Sequence, residues 1–83
     1  MMINPKRYSF DELYAHNLQK GGLTTKRYYK GYDIVIHSKK GHGVDFFFYK
    51  DGRFLKQRNQ IWHDEIEEYY KRYIDEVLIN NNF

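Results

Sequence analysis

Residues 44–58, VDFFFYKDGRFLKQR, hold the pattern that decides the fold, because two runs of aromatic and apolar side chains meet at Asp51-Gly52. Asp-Gly between such runs is the strongest short-range signal of a β-hairpin with a two-residue type I′ turn. The turn of a hairpin also fixes the register of its two strands. The predicted pairs are Lys50 with Arg53, Tyr49 with Phe54, Phe48 with Leu55, and Phe47 with Lys56.

This register divides the side chains between two faces, since successive residues of a strand point to opposite sides of the sheet. The preceding strand is placed so that Ile36 lies opposite Val44. The first, apolar face then carries Tyr32, Ile34, Ile36, Val44, Phe46, Phe48 and Leu55. The second face carries Asp33, Val35, His37, Asp45, Phe47, Tyr49, Phe54, Lys56 and Arg58. We expect helices to cover the first face alone, which leaves Phe47, Tyr49 and Phe54 exposed.

Helical patterns flank the strands on both sides. Ser9 and Glu12 have the spacing of a capping box at the start of a helix, and glycines at 21 and 22 end that helix. Apolar residues return at helical spacing between residues 60 and 79, and Trp62 is expected to be buried at the start of this second helix. Residues 24–32 predict either one long bent strand or two strands that turn at Lys30-Gly31.

The predicted fold is therefore a small α+β domain. A helix, a three- or four-stranded antiparallel sheet and a long C-terminal helix follow one another, with both helices packed on one face of the sheet. The 83 residues are enough for a single domain with one core, and we expect residues 1–7 and 80–83 to be flexible ends.

Composition excludes several kinds of chemistry. The chain has no cysteine, so it forms no disulfide, has no catalytic thiolate and cannot bind zinc through cysteine. Its four histidines lack the paired spacing that places two metal ligands on one helix face, and we predict no metal and no other cofactor. No apolar run is long enough to span a membrane and the start lacks a signal peptide, so a cytoplasmic protein without a membrane partner is expected.

The charges are unevenly distributed along the chain. Residues 1–59 contain twelve Lys and Arg against five Asp and Glu, a net charge of +7, whereas residues 60–83 contain two against six, a net charge of −4. The two parts together give the formal charge of +3. A basic segment of this kind is typical of nucleic-acid-binding proteins.

The leading hypothesis for function is a non-enzymatic module that binds nucleic acid, because cations that neutralise phosphates accompany rings on which bases can stack. The candidate cationic residues, with the histidine of the cationic loop at residues 38–43, are Lys26, Arg27, Lys39, Lys40, His42, Lys56 and Arg58. The candidate stacking residues are Tyr29, Phe47, Tyr49 and Phe54.

Two other functions remain open. The exposed aromatic face suits a protein partner, as in a small inhibitor or adaptor of the kind used by phages and mobile elements to bind a nucleic-acid-processing protein, or a homodimer formed through the open sheet face. The carboxylates of the second helix would then imitate phosphates: Asp64, Glu65, Glu68, Asp75 and Glu76. The third hypothesis is an RNA-cleaving toxin, in which His37 or His42 acts as the base beside Lys39 and Lys40.

The order helix, three strands, helix resembles that of the double-stranded-RNA-binding domain, and a loop with Gly41 and His42 before residues 44–49 resembles the first hairpin of that family. This resemblance implies an α+β fold. That family begins its second helix with a lysine-rich segment that grips phosphates, whereas residues 60–68 of this chain are acidic. The resemblance therefore covers the order of elements and not the segment that contacts RNA.

Overall fold

The computed structural model describes residues 4–61 and 64–80, which form one four-stranded antiparallel sheet with a helix on either side of it in sequence. The strands lie in the order β1-β2-β3-β4. Their bounds are β1 Leu23–Tyr29, β2 Tyr32–Lys39, β3 Gly43–Lys50 and β4 Arg53–Gln60. The helices are α1, Phe10–Leu18, and α2, Ile66–Tyr73, with a short 3₁₀ helix at Pro5–Arg7 and a π-helical turn at Ile74–Leu78. The predicted α+β class and order of elements are confirmed.

Two tight turns define the meander. Lys30 and Gly31 have φ angles of 49° and 89°, and Asp51 and Gly52 have φ angles of 53° and 78°. Positive φ at both central residues is what a type I′ turn requires. Residues 24–32 thus contain two strands that turn at Lys30-Gly31, which resolves the number of strands as four.

The start of α1 follows the predicted capping box. The backbone N–H of Glu12 donates to the hydroxyl of Ser9 at 3.2 Å, and the backbone N–H of Ser9 donates to the carboxylate of Glu12 at 2.9 Å. Both groups satisfy backbone donors that the first turn of a helix leaves free. The helix packs through Leu13, which is fully buried.

The two helices pack on opposite faces of the sheet, so the prediction that both lie on one face is wrong. The core on the α2 face contains Tyr32, Ile34, Ile36, Val44, Phe46, Phe48, Tyr70 and Ile74. The core on the α1 face contains Leu13, Val35, Phe47 and Tyr49, with Tyr8, Phe10, Tyr14 and Phe54 packed around it. Each sheet face has its own apolar row, and each row needs a helix to remove it from water.

A β-bulge in the second hairpin changes the predicted faces. Tyr49 pairs with Phe54 as predicted, but the register then shifts, and Phe48 lies opposite Lys56 instead of Leu55. The extra residue places two residues of β4 against one of β3, which reverses the alternation beyond it. Lys56 and Arg58 therefore lie on the α2 face, not beside Phe54. The neighbouring pair β2-β3 is shifted by two residues, with Ile36 opposite Phe46, and this shift preserves the predicted face.

The segment between sheet and second helix also differs from the prediction. Strand β4 continues to Gln60 and α2 begins at Ile66, because residues 53–60 pair with β3 except at the bulged Leu55. Trp62 lies outside the described residues, and with it the predicted burial of its ring. At the other end of the chain, Pro5–Arg7 forms the short 3₁₀ helix, and the side chain of Asn4 accepts a hydrogen bond from the Lys6 N–H at 3.1 Å.

Candidate nucleic-acid interface

The aromatic cluster predicted to stack on bases is part of the core. Phe47 and Tyr49 are 2% and 0% exposed because α1 covers them, and Phe54 is half-buried with its ring edge-on to Tyr49 at 5.6 Å. The hydroxyl of Tyr49 donates to the carbonyl of Tyr8 at 3.1 Å, and burial raises the pKa of Tyr49 to about 12. The expectation of an open aromatic face is wrong, and the homodimer predicted through that face loses the exposed rings on which it was based.

The candidate residues of β1 are spread over both faces of the sheet. Lys26 lies over the ring of Tyr14 in α1 at 4.6 Å, whereas Arg27 lines a cavity on the α2 face. Tyr29 is half-buried, and its hydroxyl donates to Asp75 at 2.9 Å. These three side chains therefore form no common binding surface.

Lys56 and Arg58 meet in a groove of about 550 Å³ between β4 and the end of the second helix. This β4 groove is lined by Tyr32, Lys50, Leu55, Lys56, Arg58, Tyr73, Val77 and Leu78. Three of these residues are cationic and none carries a carboxylate. The bulge explains how Lys56 and Arg58 come to face α2, since it turns both side chains to the side of Phe46 and Phe48.

The cations of the β4 groove are placed against aromatic rings. Lys50 lies 4.6 Å from the centre of the Tyr32 ring, and Arg58 lies 5.2 Å from that of Tyr73. Contacts of this kind hold a cation in position without cancelling its charge. Among the described residues neither these two side chains nor Lys56 forms an ion pair, and the buried hydroxyl of Tyr73 has no hydrogen-bond partner.

The acidic residues of the second helix are partly neutralised within the protein. Lys30 pairs with Asp75 and Lys71 pairs with Glu67, both at 2.7 Å, and these contacts lower the pKa of each carboxyl. Arg72 lies 3.7 Å from the carboxylate of Glu76, one helical turn further along the chain. Two of the five carboxylates predicted to imitate phosphates, Asp75 and Glu76, therefore have structural partners.

A second group of candidate residues surrounds a cavity of about 320 Å³ at the opposite end of the sheet from the two tight turns. This His37 cavity is lined by Lys20, His37, Lys39, His42 and Asp45. Lys39 and His42 belong to the predicted site, whereas Lys40 is exposed on the loop and lines neither cavity. The cationic loop thus contributes two of its predicted residues to one site.

Strand register accounts for the floor of the His37 cavity. Thr24, His37, Asp45 and Asn59 lie directly opposite one another on four adjacent strands and form a polar row across the sheet. The Thr24 hydroxyl lies 2.8 Å from Nδ1 of His37, and the Asn59 amide donates to the Asp45 carboxylate at 2.9 Å. Burial, and next the charge of Lys20, lowers the pKa of His37.

Sequence reasoning missed Lys50, Tyr32 and Tyr73 in the β4 groove and Lys20 in the His37 cavity. Lys50 stands beside the Asp51-Gly52 turn, where the predicted register already placed it next to β4, and this signal could have found it. The described residues contain no group of three His, Asp or Glu able to hold a metal ion. Their helices include none that is long and apolar enough to cross a membrane.

Comparison of the chain with protein-family models, with curated proteins and with solved structures finds no significant match.

Proposed function

We propose that this protein binds nucleic acid and that the β4 groove contacts the phosphate backbone. The observation that supports the proposal best is the convergence of Lys50, Lys56 and Arg58 on one groove whose described lining includes no carboxylate. A polyanion gains most from cations that have no carboxylate partner inside the protein, because its binding then breaks no ion pair and releases condensed counterions.

The shape and lining of the groove suit a chain of phosphates with attached bases. Leu55, 41% exposed at the bulge, and the apolar residues Val77 and Leu78 provide surface for a base or a sugar next to the cations. The guanidinium of Arg58 offers donors in a planar fork that matches two phosphate oxygens.

Replacing Lys56 and Arg58 together by Ala is expected to weaken the binding of single-stranded RNA and DNA uniformly across sequences. The negative slope of log K against log salt should become shallower by roughly 1.4, since each lost phosphate contact contributes about −0.7 for a single strand. Fluorescence anisotropy of a labelled 20-nucleotide strand, titrated at several salt concentrations, measures both quantities.

The matched control removes the same two kinds of charge elsewhere. Lys6 and Arg7 are exposed in the 3₁₀ helix and line neither the β4 groove nor the His37 cavity. The Lys6→Ala, Arg7→Ala variant should retain the salt slope of the parent protein. Equal losses of affinity in the two double variants would show that only net charge matters. If the parent protein binds neither single- nor double-stranded DNA or RNA at low salt, the proposed function is refuted.

A further inference from the structure

The His37 cavity holds an imidazole whose orientation is fixed. His37 is 5% exposed, and its Nδ1 lies 2.8 Å from the hydroxyl of Thr24. In the tautomer with a proton on Nδ1, this nitrogen donates to Thr24 and leaves the lone pair of Nε2 free. Among the described residues Nε2 has no hydrogen-bond partner, and the residue lines the cavity. These are the properties of a positioned general base.

Burial and the neighbouring lysines disfavour the charged form of His37, and the lysines supply cations beside it. Lys20 follows α1, Lys39 ends β2 and Asp45 faces His37 from β3. Burial and the two lysines lower the pKa of His37, whereas Asp45 raises it, and the net shift is downward. The carboxylate of Asp45 accepts a hydrogen bond from the Asn59 amide, and among the described residues it forms none with the ring of His37.

We infer that the His37 cavity cleaves RNA by intramolecular transesterification. Nε2 of His37 takes the proton of a ribose 2′-hydroxyl, and the 2′-oxygen forms a bond to the adjacent phosphorus. The bond from phosphorus to the 5′-oxygen breaks, and His42 donates a proton to that leaving oxygen. Lys20 and Lys39 neutralise the charge that develops on the phosphoryl oxygens. The products are a 2′,3′-cyclic phosphate and a 5′-hydroxyl, and no other reactant is consumed.

Two features of the structure separate this site from a surface cluster of cations. The first is the polar row from Thr24 to Asn59, which spans the sheet. Its outer residues hold the inner ones, since Thr24 fixes the ring of His37 and Asn59 fixes the carboxylate of Asp45. The second is the side chain of Lys39, whose ammonium donates to the carbonyl of Lys20 at 3.2 Å and is thereby held at the cavity wall. One cavity is therefore lined by the proposed base, His37, the proposed acid, His42, and the cations of Lys20 and Lys39.

The test incubates the full chain with a labelled single-stranded RNA and with the same strand made of DNA. The parent protein should cleave the RNA only, because the DNA lacks the 2′-hydroxyl, and mass spectrometry should find cyclic phosphate and 5′-hydroxyl ends. Cleavage of the DNA strand, products with other ends, or intact RNA after prolonged incubation would overturn the inference.

Variants of the loop test the residue roles without disturbing the core. His42 and Lys39 are exposed, so His42→Ala and Lys39→Ala should fold normally, and His42→Ala should lower the cleavage rate by about 100-fold or more. The matched controls are His16→Ala, on α1, and Lys6→Ala, which should keep the parent rate. Full activity in His42→Ala, or in a folded His37→Ala variant, would assign the cleavage to a contaminating nuclease and end the proposal.

The pH profile provides a readout that a structural role for His37 would not produce. A base with a lowered pKa stays neutral in mildly acidic solution, so cleavage should persist below pH of about 6.5 and fall only as the pH drops further.

The inference rests on the proposed function only in taking RNA as ligand. Binding without cleavage would refute this inference alone, and cleavage with unaltered binding in the Lys56→Ala, Arg58→Ala variant would refute the role of the β4 groove alone.

Discussion

Replacing Phe47 by Ala is expected to lower the free energy of unfolding by about 3–5 kcal/mol. The ring is 2% exposed and packs in the α1-side core with Leu13, Val35 and Tyr49. Its removal takes away the burial of a large apolar surface and leaves a cavity that the surrounding strands and α1 cannot close. Such a loss is a large part of the stability of a domain of this size. Urea unfolding followed by circular dichroism measures it.

Phe54→Ala provides the control from the same hairpin. Phe54 is half-buried at the edge of the same cluster, so folding removes less of its apolar surface from water than it does for Phe47. Its replacement by Ala should therefore lower the free energy of unfolding by only about 1–2 kcal/mol. The two residues would behave alike if both rings lay on an open surface. A Phe47→Ala variant with the stability of the parent protein and weaker nucleic-acid binding would contradict the burial of Phe47 and restore a stacking role.

The local elements of the fold could be predicted because each depends on a few neighbouring residues. Ser9 and Glu12 define the start of α1 by mutual hydrogen bonds, and Asp51-Gly52 defines a turn by its positive φ angles. These signals involve contacts at most three residues apart in sequence. They are therefore independent of how helices and sheet finally pack together.

The placement of the helices was predicted wrongly because one signal in β3 was interpreted as alternation. Residues 46–49, FFFY, are apolar on both faces of the strand. An uninterrupted run of this kind is typical of a strand buried on both sides. The chain has one helix before the sheet and one after it. When each helix covers a different face of the sheet, Phe47 and Tyr49 are buried as well as Phe46 and Phe48. The open aromatic face was a consequence of that misinterpretation.

The candidate sites could be predicted in composition but not in arrangement. The sequence identified Lys56, Arg58, Lys39 and His42 as polar groups of a binding site, yet their neighbours depend on pairing between distant strands. The bulge opposite Phe48 decides which face Lys56 and Arg58 occupy. Nothing in a single sequence distinguishes a regular β4 from a bulged one, because Leu55 is compatible with both.

Gly43→Ala and Gly41→Ala are expected to differ in their cost to stability by about 2–3 kcal/mol, although both replace a glycine of positive φ and lie two residues apart, Gly41 in the loop and Gly43 at the start of β3. Gly41 has a φ of 85° and open space where a Cβ would lie, so its substitution should cost about 1–2 kcal/mol for the left-handed conformation alone. At Gly43, with a φ of 74°, a Cβ would overlap the carbonyl oxygen of Gln60 and lie 3.3 Å from the Cα of Ile61.

The overlap at Gly43 involves backbone at the end of β4, which cannot move aside as a flexible side chain does. Relief requires β3 and β4 to separate where Val44 pairs with Gln60, and this strains the hairpin that positions Asp45 and Asn59. We therefore expect Gly43→Ala to lower the free energy of unfolding by about 4 kcal/mol, a value that few mechanisms produce. Thermal and urea unfolding of the two variants measures the difference. Equal stability of the two would show that β4 does not approach Gly43 this closely.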